Sequence, residues 1–237
     1  MEIGELNASK AADWDAFVGT HPDATFFHLS GWKQVIESSF DHDCHFLYAY
    51  ASGQIRGVLP LVHINSRLFG NALISTAFCV CGGPVAVDHT ARSALEERAI
   101  ALAEELKVDY LEFRLRAPGN ADWARNDELY VEFRKQLDPD PEKNLAQVPR
   151  KQRAMVRKGI KFGLRSEIDV GVDRCYNLYA ESVRNLGTPV FAKKYFVALK
   201  AAFGEACEIL TVCQGDQPVS SVMNFYFGNE VLPYYGG

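Results

Sequence analysis

Apolar residues recur along this chain at two spacings. Steps of three and four mark helices, and near-alternation over short runs marks strands. Residues 2–6 read as a short strand. Residues 11–18 read as a helix with Trp14, Phe17 and Val18 on its inner face. Ser30 is placed to cap a helix over 31–39 that packs Trp32, Val35 and Ile36. F-L-Y-A-Y (46–50), the turn S-G-Q and I-R-G-V-L-P-L-V-H-I (55–64) predict a hairpin. A further strand is expected over 71–81, ending in Cys81-Gly82-Gly83-Pro84. Leu95, Ala99, Leu102 and Leu106 set a helix over 91–106. Strands are expected at 110–115 and 130–137. The polar, proline-punctuated D-P-D-P-E-K (138–143) reads as a linker and puts a domain boundary there, with a first domain over 1–140 and a second over 141–237.

The pattern then restarts. Val172, Tyr176, Tyr179, Val183 and Leu186 predict an amphipathic helix. Another is expected over 194–203, closed by Gly204. Residues 207–213 and 219–227 predict a second hairpin, and 231–235 a last strand. The halves read as copies. At an offset of 163, Trp32 falls on Tyr195, Phe40 on Phe203 and Phe46 on Ile209. Cys81-Gly82-Gly83 and Tyr235-Gly236-Gly237 are expected to end matching strands. The first copy continues through a helix and two strands after its Gly-Gly. On that reasoning the second copy is expected to be incomplete, with residues 231–235 an unpaired edge and the chain itself inactive and poorly stable.

Composition sharpens one region. Between Asn144 and Arg165 there are seven bases and no acid; the whole chain carries −5, so the remainder carries −12. On a helix beginning after Pro149, Arg150, Arg153, Arg157 and Lys161 form one stripe, with Lys151 and Lys158 beside it. Met155, Val156 and Ile160 supply apolar positions for docking. A cationic stripe on an acidic chain is suited to phosphate or another polyanion, although charge runs are also common on solvated surfaces. Hydrophobic residues make up 48% of the chain and aromatics 12%, which indicates packed cores and not disorder. No run approaches the ~18 apolar residues of a membrane span. The start, M-E-I-G-E-L-N, lacks the apolar stretch of a secretory signal, so a cytoplasmic protein with six reduced cysteines is expected.

The motifs P-R-K-Q-R-A-M-V-R-K-G-I-K-F-G-L (149–164), Y-N-L-Y-A-E-S-V-R-N-L-G-T-P-V-F (176–191), K-Y-F (194–196) and V-L-P-Y-Y-G-G (231–237) resemble the FemAB family. The wording is closest to its branch associated with exosortase/PEP-CTERM systems. The resemblance implies an α/β fold of mixed sheets, in two tandem GNAT-like lobes. It also implies a transferase that forms an amide on a cell-envelope or exopolysaccharide precursor. The acyl donor would be an aminoacyl-tRNA or an acyl-CoA, and the acceptor an anionic, nucleotide-sugar-linked molecule. Precursor contacts of the family fall on Tyr110 and Tyr195 here. Lys33 is displaced from the place of a lysine the family uses, which leaves a peptidoglycan precursor open to question.

Acyl transfer to an amine needs a free amine, donors for a tetrahedral oxyanion and close placement. In a GNAT-like site, backbone N–H groups where two strands splay can supply the donors, so no catalytic side chain is named. There is no Gly-x-Ser-x-Gly elbow and no phosphate-binding Gly-x-x-x-x-Gly-Lys loop. His42, Cys44, His45, Cys79 and Cys81 do not follow metal-ligand spacing, and no metal is expected. Arg114 and Arg116 share a strand face and suit either an anion or a salt bridge to Glu112. Arg184, beside the turn Gly187-Thr188-Pro189, joins Tyr110, Arg150, Lys151, Arg153, Arg157, Lys158 and Tyr195 as a candidate substrate contact. Two alternatives stand beside this reading: a non-catalytic polyanion-binding module on the same fold, and a CoA-dependent N-acetyltransferase. After Cys81 the first copy reads G-G-P-V-A-V-D-H-T-A-R-S, without the glycine-rich pyrophosphate loop of single-lobe acetyltransferases.

Overall fold

The structure is a computed structural model describing residues 1–68 and 70–237. Two sheets carry it. In the first half, β1 (Glu2–Glu5), α1 (Ala11–Thr20), α2 (Gly31–Phe40), β2 (Asp43–Ala51), β3 (Gln54–Ser66), β4 (Gly70–Ser75), β5 (Val85–Ala86), α3 (His89–Leu106) and β6 (Tyr110–Glu112) follow in order. The sheet runs β1-β2-β3-β4-β6, with β5 on β3; only β4–β6 is parallel. Alternation along β2 and β3 divides their side chains between two faces. Phe46, Val58 and Val62 meet α1 and α2, while Leu47, Leu59 and Leu61 meet Ala91, Leu95 and Ala99 of α3.

The second half has α4 (Pro141–Gln147), α5 (Arg150–Lys161), β7 (Arg165–Asp169), α6 (Asp173–Asn185), α7 (Lys193–Phe203), β8 (Cys207–Gln214), β9 (Gln217–Phe227) and β10 (Glu230–Gly236). Its sheet is antiparallel, in the order β10-β9-β8-β7, with β10 outermost.

The order β1-α1-α2-β2-β3-β4 recurs as β7-α6-α7-β8-β9-β10. The two copies meet through α2 and α7, and the contacts are reciprocal. Trp32 lies 5.2 Å from Phe203 between ring centres, and Phe40 lies 4.9 Å from Tyr195. These are the same two positions in each copy, exchanged. The carbonyls of Cys44 and Cys207, which are 163 apart, each accept from a lysine, Lys33 and Lys200, although the lysines themselves do not occupy equivalent positions. Burial pushes both of those thiols up to about 12. One hydrophobic core runs from Trp14 and Trp32 through Phe26 and Phe27 to Tyr195, Phe196 and Phe225.

Five expectations fail locally. The strand expected to reach residue 81 ends at Ser75. Thr76 and Phe78 have φ of 37° and 71°, left-handed conformations that turn the chain off the sheet. Thr76 Oγ1 donates to Phe27 O at 3.2 Å, and Phe78 stacks on Phe40. Consequently Cys81-Gly82-Gly83 does not correspond to Tyr235-Gly236-Gly237. Register instead equates Tyr235, opposite Met223, with Thr76, whose N–H donates to Pro60 O.

The strand expected over 130–137 is also absent. Leu129, Tyr130, Val131 and Phe133 are all exposed, because a strand needs an edge to pair with and the chain leaves the sheet after Glu112. Arg134 ties this stretch to Glu132 and to Glu230 at the start of β10. The linker expected over 138–143 begins a helix instead, with Asp140 Oδ1 accepting from Glu142 N–H at 2.9 Å. Ser30 precedes α2 but does not cap it; its N–H and hydroxyl donate to Asp15, fastening α2 to α1.

His28 locks the loop that turns after β4. Thr25 N–H donates to its Nδ1 at 3.1 Å, so Nε2–H donates to Gly83 O at 2.9 Å. This arrangement holds only for the neutral ring, and burial lowers the His28 pKa to about 4. In the unfolded chain the ring takes a proton near pH 6.5. His28 therefore withdraws stability as pH falls from about 6.5 to 4, by about 3 kcal/mol in all. Urea melts of the parent and of His28→Gln at pH 7.5 and pH 4.5 check this: the loss between the two pH values should be smaller by about that amount in the variant.

Candidate functional site

The longest basic run becomes α5 as its sequence requires. Pro149 ends the preceding helix, its carbonyl accepts from Arg153 N–H at 2.9 Å, and Gly163, with φ of 71°, turns the chain out at the far end. Lys158 and Lys161 suit the negative end of the helix dipole. Arg150 and Arg153 oppose its positive end, and like charges at these spacings cost about 0.2–0.5 kcal/mol per pair. An anion would remove both penalties.

Arg150, Arg153, Ala154, Arg157, Lys158 and Lys161 line an open hollow of about 590 Å³. Among the described residues none of these cations makes an ion pair; Lys158 lies over the Phe162 ring at 5.5 Å. Lys151 is exposed on the same helix but does not line that hollow. Arg165 is engaged elsewhere, donating to Gly215 O at 2.9 Å.

A second hollow, of about 660 Å³, lies along the last turns of α6. Tyr176, Asn177, Glu181, Arg184 and the loop 187–190 enclose it. The loop is set by Gly187, whose φ of 75° lets its N–H reach Arg184 O and brings Thr188 N–H to Val183 O. Arg184 and Glu181 are both without an ion pair among the described residues, so the hollow presents one charge of each sign. It shares no lining residue with the hollow on α5.

The two tyrosines are apart from both. Tyr110 opens β6 opposite Ala72 and is half exposed. Tyr195 has no exposed surface: Phe40, Phe191 and Phe196 surround it, and its hydroxyl meets that of Tyr235 at 3.0 Å. Arg114 acts as a strut, its Nε on Glu112 at 2.7 Å and its Nη1 on Cys79 O at 2.7 Å.

Two breaks in strand pairing, one in each half, bear on backbone donation. In the first, β4 and β6 separate after Ile74 and Glu112, and the gap is filled. Arg114 N–H donates to Ser75 Oγ at 2.8 Å, and Gly82 and Gly83 N–H both donate to Arg114 O at 3.1 Å. A side chain at Gly82 would strike Thr76. In the second half, β10 bulges between Pro233 and Tyr235, leaving Tyr234 without a partner residue on β9. The Tyr234 ring packs on Phe27, Phe225 and Tyr235, and burial raises its hydroxyl pKa far above the usual value. Sequence reading passed over this bulge, although a proline inside a strand is a signal for one. No cluster of three potential metal ligands exists among the described residues, and all six cysteines are free and buried.

Residues 143–237 match the family model described as Acetyltransferase (GNAT) domain. That stretch contains α5, both hollows and the bulged strand. Over all of its length the chain superposes on the crystal structure of FemX, covering 80% of that protein at a TM-score of 0.67 and 14% identity. The fold is that of GNAT-like lobes in mixed α/β sheets. A GNAT family acetyltransferase of Staphylococcus aureus is similar over 57% of this chain and 98% of its own, at 13% identity and a TM-score of 0.38. The aminoglycoside 6'-N-acetyltransferase AAC(6')-IG of Acinetobacter haemolyticus is similar over 58% and 100%, at 16% identity and 0.36. No curated protein matches the chain in sequence.

Proposed function

We propose that this protein is an acyl- or aminoacyltransferase that forms an amide on an anionic cell-envelope or exopolysaccharide precursor, working in the cytoplasm with its lobes at 1–140 and 141–237. The observation that carries the reading is the GNAT match over 143–237, a stretch that also holds the free cations of α5. Arg150, Lys151, Arg153, Arg157 and Lys158 grip phosphate oxygens of a nucleotide-linked acceptor or of a charged tRNA. Arg184 takes a further acidic group in the hollow on α6. Tyr110 and Tyr195 enter through the resemblance to FemAB proteins, Tyr110 as an exposed contact and Tyr195 by holding the core behind the site. The bulge at Tyr234 supports backbone donation to a tetrahedral oxyanion. The exosortase-associated branch is our reading of the basic-helix and G-T-P wording.

A CoA-dependent N-acetyltransferase is the second reading, favoured by the description of the matching family. In the first lobe the Gly82 and Gly83 amides are already committed to Arg114, which speaks against a CoA pyrophosphate there.

The test is transfer of labelled acyl groups to amine-bearing nucleotide-sugar precursors from two donors, aminoacyl-tRNA and acetyl-CoA. Transfer from the tRNA donor, with none from acetyl-CoA, is expected. Transfer only from acetyl-CoA would favour the second reading. Tight binding of precursors with no transfer from either donor would reduce the protein to a polyanion-binding module.

A further inference from the structure

The far side of α5 carries a feature that polyanion binding does not use. At 3.6 residues per turn, Arg150, Arg153, Arg157 and Lys161, with Lys151 and Lys158, fill one side of the helix, and Met155, Val156 and Ile160 fall on the remaining uncharged side, with Ile160 at its border beside Arg153. Met155 is 62% exposed, Ile160 68% and Phe162, just past the helix, 63%. Neither hydrophobic core includes any residue of α5. A surface helix ordinarily turns such a ridge inward, and here the ridge stays exposed, with Lys158 lying over the Phe162 ring at 5.5 Å. Lys151 and Lys158 lie on the flank between ridge and stripe, where long stems can follow an apolar surface while their ammonium groups stay at its polar boundary.

We propose that α5 docks the protein on the anionic surface of a lipid bilayer. The ridge Met155, Val156, Ile160 and Phe162 enters the acyl boundary, and the flanking cations meet acidic headgroups. Charge complementarity selects this occupant. The residues outside 144–165 carry −12, so an anionic surface repels the body and attracts only this segment, which fixes which side approaches. No helix among the described residues is long and apolar enough to cross a membrane, so the contact is peripheral. This inference uses the ridge, whereas binding of a soluble polyanion uses the stripe alone.

The experiment is flotation of the purified protein with vesicles of phosphatidylcholine alone and of phosphatidylcholine mixed with phosphatidylglycerol. A second protein, Ile160→Ser with Phe162→Ser, is run beside it; both positions are exposed, and matched melting curves confirm the fold. The parent should float only with the anionic vesicles. The double variant should bind them about tenfold or more weakly, while its affinity for soluble inorganic polyphosphate is unchanged. Absence of flotation would overturn the proposal. So would flotation that the serines leave intact, which would be adsorption by charge alone, or a ridge occupied by a second copy, seen as a concentration-dependent dimer that the serines abolish. None of these outcomes bears on acyl transfer, which is assayed without lipid.

Discussion

Trp32→Ala is expected to destabilise both lobes together by about 3–5 kcal/mol, a large share of the roughly 5–15 kcal/mol that holds a folded protein. Trp32 is wholly buried on α2, and its ring meets Phe26 and Phe27 of its own half and Phe203 and Phe225 of the other. Its Nε1–H donates to Phe26 O at 3.0 Å. Alanine leaves a cavity at the junction and takes from Phe26 O one of its two donors, the other being Leu29 N–H at 3.3 Å, and neither half can collapse into the space without moving the other. Because the core is continuous, denaturant should unfold the variant in one transition. Tryptophan fluorescence, which in this variant comes from Trp14 and Trp123 and so reports the first half, should coincide with far-ultraviolet circular dichroism, which reports both. Tyr195→Phe is the matched control at the equivalent position. It removes only the hydroxyl on Tyr235 and should cost about 1 kcal/mol. Two separated transitions in Trp32→Ala would mean that the lobes fold independently, despite the shared aromatics.

That junction marks the limit of what the sequence made legible. Helices and hairpins were readable because each has one buried face: Val35 and Ile36 on α2, or the alternation of Phe46, Leu47 and Tyr48 on β2. The repeat was readable for the same reason, since equivalent faces need equivalent residues. What pattern alone cannot say is whether an apolar run has a partner. Residues 76–81 are apolar like a strand, yet their burial comes from a turn packed on Phe27 and Phe40. Residues 130–137 have strand-like composition and no edge to join. Tyr195 reads equally as a contact or as core, because aromatic character suits both; only the pairing of α7 with α2 assigns it to the interior. The cations of α5 were legible for the opposite reason. A run without acids leaves no ion-pair partner within the helix, and among the described residues the fold brings no carboxylate to Arg150, Arg153, Arg157, Lys158 or Lys161 from outside.

Arg153→Ala and Arg157→Ala are expected to weaken binding of the anionic substrate by tenfold or more each, about 1.5–3 kcal/mol per lost charged contact. The two guanidinium groups lie one turn apart on the wall of the same hollow, without competing carboxylates, so their forks are free to take phosphate oxygens in pairs. Alanine is a good helix former and relieves repulsion with Arg150 and Lys161, so the variants should melt at the parent temperature or slightly above it. A fall in affinity at unchanged stability is therefore the signature to seek. Calorimetry against tRNA and nucleotide-sugar precursors, repeated across a salt series, reads it directly. Each cation that neutralises a phosphate contributes about 0.7–0.9 to the slope of log affinity against log salt, so each substitution should flatten that slope by about this amount. Arg98→Ala serves as the control, because Arg98 is already held by both oxygens of Glu105, at 2.7 and 3.2 Å. If Arg153 and Arg157 can be removed with no more effect than Arg98 on affinity and on slope, for every polyanion the parent binds, the stripe is a solvated surface and its missing acids have no bearing on substrate.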